Sequence, residues 1–208
     1  MSWTIIYYYH NDPVNLESLY KFNSKNQIIP IHIKHDLSHK EAWRNPDRTI
    51  RKHLNINDIL YENILLVEWD VYINKEVTDL NFDGALFKYV TIDQTNSWCW
   101  WKEIDKLPEK YKSCITGGAL WSLVGIKRKY LEILLNSEYD YLYEMDIFSE
   151  IRTPTLMKYL GIPLAQFPKD WTEFLYCDIK QANSMIDHHI HKESDVVKFF
   201  HPVKNQIF

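Results

Sequence analysis

Glycine is scarce here, 5 residues in 208, and none stands in a phosphate-cradling pattern. There is no G-x-x-x-x-G-K-S/T, which argues against a P-loop nucleotide hydrolase. No G-x-G-x-x-G follows the first strand pattern, which argues against a dinucleotide enzyme. Cysteine is scarce and odd in number, 3 in all, so no disulfide scaffold is indicated. A basic excess is also missing: Lys+Arg 24 against Asp+Glu 28 gives a formal charge of -4. Such a chain cannot neutralise a nucleic-acid backbone as a coat protein does, and nucleic acid is not an expected partner. No hydrophobic run has the length and polarity of a membrane span, so no transmembrane segment is expected. The opening stretch from Met1 to His10 lacks the basic start of an export signal, which makes a cytoplasmic location the default.

What is present is bulk apolar and aromatic surface. Hydrophobic residues make up 46% and aromatics 15%, with 14 Tyr and 8 Trp. That is enough to fill the core of one domain over residues 1–208 and to leave rings for a groove. The chain ends soon after a motif-like segment, so this domain reads as the first of a longer protein. Ile5 to Tyr9 is a buried-strand pattern, and Ile28 to Ile33 a second, with Pro30 favouring a sheet edge. Asn63 to Trp69 is the strongest strand, and Gly84 to Tyr89, Ala119 to Val124 and Leu164 to Phe167 are further ones. Helical spacing marks Asn15 to Phe22, part of Ile50 to Leu60, Lys127 to Asn136 and Pro154 to Leu160, the last stopped by Gly161. Strands alternating with helices predict an α/β fold, a mostly parallel central sheet flanked by helices.

The central strand runs directly into Glu68-Trp69-Asp70. Alternation puts the two carboxylates on one side, at the sheet edge where open α/β folds bind ligands. Two oxygen ligands suit a hard divalent ion, Mn²⁺ or Mg²⁺, that leaves positions open for a diphosphate. A strand meeting solvent also takes polar residues as it exits, and spacing alone does not separate the two readings. With no glycine-rich cradle, a diphosphate would have to be held by metal and basic side chains. Arg44 and Arg48 belong to the one basic patch before the triplet, and lie on one face if that patch is helical. Trp98 and Trp100 offer flat apolar surface to a sugar ring. Lys204, three residues past His201, could reach a phosphate oxygen. His188, His189 and His191 form a rival metal cluster without the zinc-type spacing that would support it.

The order of these features resembles the nucleotide-sugar-dependent glycosyltransferases of the GT-A fold: a first strand with a polar exit, an acidic triplet, a glycine pair, a late acidic cluster and a final histidine. The triplet matches that family's D-x-D signature, with Glu68 departing from its first Asp. The resemblance runs from about Ile5 to Lys204 and extends more loosely to the amino-terminal glycosyltransferase domains that large algal viruses encode to decorate their capsid protein. A viral source would make host cytoplasm the location.

The resemblance implies a metal-dependent transferase of hexosyltransferase type. Its donor would be a nucleoside-diphosphate sugar, by default UDP-linked, and its acceptor a glycan or glycoprotein hydroxyl, attacked with inversion, with a retaining outcome left open. Asp70 and His201 would ligate the metal, with Glu68 at the ribose or a metal-bound water. Pro202 restricts His201 to extended geometry, which helps aim its ring. Tyr9, His10 and Asn11 would meet the base, with Asp36 another nucleotide-side position. Gly117 and Gly118 would form the loop approaching the donor sugar. Glu150 and Asp146 are the candidates for general base, and Glu144 for a sugar contact; each is equally at home as helix-flanking charge. Two other function classes remain open: a non-catalytic carbohydrate- or protein-binding module on the same fold, and a metal-dependent nucleotidyltransferase.

Overall fold

A computed structural model describes residues 2–9, 13, 15–33, 44–78, 80–91, 101–115, 117–175 and 197–201. In chain order its elements are β1 (Trp3–Tyr9), α1 (Leu16–Phe22), β2 (Gln27–His32), α2 (Pro46–His53), β3 (Asn63–Glu68), β4 (Tyr72–Ile73) and β5 (Ala85–Thr91). Then come α3 (Glu109–Lys112), β6 (Gly117–Lys127), α4 (Arg128–Leu134), α5 (Asp140–Glu144), α6 (Ser149–Tyr159), β7 (Leu164–Gln166), β8 (Phe174–Leu175) and β9 (Phe199–His201). Among the described residues no helix is long and apolar enough to cross a membrane.

The main sheet has the order β2-β1-β3-β6-β5-β7. Strands β2, β1 and β3 run parallel, β6 lies antiparallel between β3 and β5, and β7 runs parallel to β5. Five strands therefore share one direction and β6 opposes them, which agrees with the α/β expectation. Pro30 lies on the edge strand β2, where its missing N–H costs no ladder bond on the open side.

Alternation along β1 and β3 divides the core in two. Ile6, Tyr8, Ile64 and Leu66 face one cluster, under helix residues such as Ile50, Leu131, Ile151 and Leu156. Ile5, Tyr7, Leu65 and Val67 face the other, under Leu19 of α1 and Ile73 and Phe199 of a small second sheet. That second sheet has the order β4-β9-β8.

Three expectations change. The Ala119–Val124 strand is the middle of an eleven-residue strand that begins at Gly117, so the glycine pair is no turn. Its two residues pair with Thr91 and Val90 of β5. Burial on both faces of the sheet keeps that long stretch extended. Helix α6 starts at Ser149, five residues before Pro154, which the helix carries internally. It still ends at Gly161, whose φ of 69° is the left-handed turn that a side chain resists. Helical spacing over Asn15 to Phe22 places Tyr20 with Leu16 and Leu19 on the apolar side, yet in α1 Tyr20 is exposed and Ser18 is buried in its place.

Candidate metal centre

Strand β3 ends at Glu68, and the next residues form a tight turn closed by the Val71 N–H donating to the Glu68 carbonyl at 3.0 Å. The turn replaces the straight extension expected of the triplet, and it still brings both carboxylates to one place. Directly after it, β4 pairs antiparallel with β9: Tyr72 with Phe200, Ile73 with Phe199. Continuing that register by one residue sets His201 opposite Val71, next to Asp70. A residue 131 positions further along the chain is thus delivered to the triplet by two ladder pairs.

Glu68, Asp70 and His201 each offer a ligand atom, all within 4.8 Å of one another. His201 Nε2 stands 3.1 Å from Asp70 Oδ1 and 3.6 Å from Glu68 Oε2. Asp70 Oδ1 is buried and makes no hydrogen bond, despite the imidazole nitrogen at contact distance. A carboxylate oxygen and an imidazole nitrogen converging on one space without a hydrogen bond between them suit an ion. Ligands about 2.1 Å from an octahedral cation stand about 3 Å apart along an edge, which matches the Asp70–His201 separation. Two carboxylates and one imidazole are a donor set for a divalent cation and lack the thiolates of a structural zinc site.

Glu150 lies in the first turn of α6 and is buried. Its Oε1 accepts the Trp121 backbone N–H at 3.2 Å. Trp121 lies two residues before Leu123, the antiparallel partner of Val67, so Glu150 is anchored at the level of the acidic triplet on the neighbouring strand. The Trp121 carbonyl also accepts the Tyr8 hydroxyl at 2.8 Å, and Tyr8 is paired with Glu68. Burial pushes the Glu150 carboxyl up to about 8, the Trp121 N–H opposing the shift.

Asp146 is different. It is exposed, bound by Lys106 Nζ at 2.9 Å and Arg44 at 3.1 Å. The Lys106 hydrogen bond, with Arg44 adding, holds its carboxyl below the ordinary range. Glu144 is exposed on α5 and borders a cavity of about 580 Å³ with Arg48, Arg51 and Lys52.

Arg44 and Arg48 do not share a helix face, because α2 begins at Pro46. Arg44 Nη2 meets both oxygens of buried Glu103 at 2.8 and 2.9 Å. Arg48 donates to the Tyr143 carbonyl and, at 3.0 Å, to the Met145 carbonyl. Both side chains contact the 143–148 segment, Arg44 through Asp146 and Arg48 through the two carbonyls. Tyr9 is half-buried and stacks on His32, centroids 4.9 Å apart. His10, Asn11, Asp36, Trp98, Trp100 and Lys204 lie outside the described residues, as do His188, His189 and His191. Gly117 and Gly118 are buried at the start of β6 rather than in a loop.

The sequence reading missed a buried charge network beneath this edge. Arg152, wholly buried, binds Asp47 through Nε at 3.0 Å and Nη2 at 2.5 Å. Its Nη1 donates to the Met145 and Ile147 carbonyls at 3.0 and 2.8 Å. Glu103 also accepts the Phe148 N–H at 2.7 Å, so the approach to Glu150 is held from both sides. Nothing local in the sequence marks a charge whose partner lies 105 positions away.

No protein-family model and no curated protein matches this chain. Solved structures do. A glycosyltransferase involved in the glycosylation of the major capsid of PBCV-1 superposes with a TM-score of 0.52 at 13% identity, covering 99% of this chain and 96% of that one. The WbbM bifunctional glycosyltransferase, in its apo form, gives 0.50 at 8% identity, covering 99% of this chain and 46% of that one. These likenesses, with the sheet order above, show that the chain shares the α/β fold of these two structures, a central mixed sheet flanked by helices.

Proposed function

We propose that residues 1–208 form one glycosyltransferase domain that moves a sugar from a nucleoside-diphosphate donor, UDP-linked, to a hydroxyl of a glycan or glycoprotein, with inversion. The observation carrying this reading is the convergence of Glu68, Asp70 and His201 on one space at the carboxyl edge of the sheet. Asp70 and His201 would hold Mn²⁺ or Mg²⁺, with Glu68 as third ligand or bound through water. Such an ion neutralises the charge that grows on a departing diphosphate.

Glu150 is the group we assign as general base. In its ionised form the carboxylate takes the acceptor hydroxyl proton while that oxygen bonds to the anomeric carbon and the bond to the diphosphate breaks. Its burial suits the task, because a carboxylate stripped of water is a stronger base than an exposed one. Asp146, ionised and tied to Lys106 and Arg44, fits the role less well and serves to fix the segment leading into α6. Tyr9, His10, Asn11, Asp36 and Lys204 are assigned to the nucleotide. Gly117 and Gly118 are assigned to the donor sugar, and Trp98, Trp100 and Glu144 to the acceptor side. Arg44 and Arg48, which also contact the 143–148 segment, are assigned to the ribose or diphosphate.

A panel of nucleotide sugars with Mn²⁺, read by release of nucleoside diphosphate and by calorimetry, tests this. One donor should be consumed in a metal-dependent way, and Asp70→Ala should abolish consumption with the fold intact. Binding without turnover of any donor would favour a recognition module. Consumption of nucleoside triphosphates instead would favour a nucleotidyltransferase.

A further inference from the structure

The acidic triplet does not hold its shape through β3 alone. The Trp69 carbonyl, between the two carboxylates, accepts the Tyr7 hydroxyl at 2.8 Å and the Asn15 side-chain amide at 3.3 Å. The Tyr7 hydroxyl in turn accepts the Asn15 backbone N–H at 3.3 Å. Both residues are buried, Tyr7 completely. Asn15 is fixed from its other side, because its carbonyl accepts Ser18 Oγ at 2.8 Å and the Leu19 N–H at 3.0 Å in the first turn of α1.

A peptide unit is planar, so the Trp69 carbonyl oxygen and the Asp70 Cα belong to one rigid plate. Two donors on that oxygen fix the plate's tilt, and with it the direction in which Asp70 leaves the backbone. The bond from Val71 N–H to the Glu68 carbonyl fixes the ends of the turn but not its middle. We propose that Tyr7 and Asn15 are positioning residues that clamp the Trp69 carbonyl, and so set the Asp70 carboxylate against His201 for a divalent ion. Both act through the backbone between the two carboxylates rather than as ligands. Outer partners of this kind tune affinity by fixing ligands before the ion arrives.

The inference rests on the metal-binding reading above, and the experiment separates the two. Mn²⁺ affinity is measured by calorimetry and by electron paramagnetic resonance, without donor or acceptor, for the full chain and for Tyr7→Phe, Asn15→Ala, Asp70→Asn and Ile5→Val. Thermal midpoints are recorded alongside. Tyr7→Phe and Asn15→Ala are each expected to weaken Mn²⁺ binding about tenfold or more. Ile5→Val trims an apolar side chain of the same strand, so it should lower the midpoint and leave Mn²⁺ affinity unchanged. If Asp70→Asn binds Mn²⁺ like the unaltered chain, or that chain binds none, the metal reading falls and the clamp with it. If Asp70→Asn loses binding while Tyr7→Phe and Asn15→Ala keep full affinity, the clamp alone is overturned. Should Tyr7→Phe fail to fold, Asn15→Ala decides the matter, since it leaves the tyrosine in place.

Discussion

Replacing Glu150 by Gln should make the protein more stable, and increasingly so as pH rises from 5 to 8. The side chain is buried, and among the described residues it accepts one hydrogen bond, from the Trp121 N–H, and has no ion-pair partner, so burial lifts its carboxyl to about 8 against an ordinary 4.5. Below pH 4.5 both the folded and the unfolded chain hold this proton, and the group adds no pH dependence. Between 4.5 and 8 the unfolded chain releases the proton while the folded chain keeps it. The unfolded state then binds fewer protons, and stability falls with rising pH by about 1.4 kcal/mol per unit for this group. Across that window the loss accumulates to something on the order of 5 kcal/mol, and above pH 8 it levels off. Gln retains an oxygen for the Trp121 N–H and has no proton to lose. Urea unfolding of both proteins at pH 5, 6, 7 and 8 should therefore show two stabilities that nearly coincide at the acid end and diverge steadily. A difference that stays constant across the series would mean that Glu150 ionises normally inside the fold, and the argument from burial would fail.

The same titration predicts the rate profile. With Glu150 as the base, turnover should climb between pH 6 and 8 and then level off. With Asp146 as the base, held ionised by Lys106 and Arg44, it should be flat over that range. Initial rates at saturating donor distinguish these outcomes. Arg152→Ala should cost about 3–5 kcal/mol in urea unfolding, because it strands Asp47 as a buried charge. The paired change Arg152→Met with Asp47→Leu should cost much less, and equal losses for the two would show that the ion pair matters only as packing.

The sequence by itself determined the alternation of strands and helices, because apolar periodicity is a local signal. Ile5 to Tyr9 and Asn63 to Glu68 could hardly be anything but buried strands. It also marked Pro30 as an edge residue and Gly161 as a helix stop, since each rests on the dihedral limits of one residue. Glu68, Asp70 and His201 were legible as candidates through the family resemblance. Only the tertiary structure decided that they meet, through the pairing of β4 with β9. Strand β6 was misjudged in length, since burial on both faces is a property of its neighbours. The Asp47–Arg152 pair, the grip of Tyr7 and Asn15 on Trp69, and the burial that sets Glu150 apart from Asp146 were likewise invisible. Charge, hydroxyl and amide groups carry no periodic signature. Their partners are chosen by packing, which brings together residues that the chain keeps far apart.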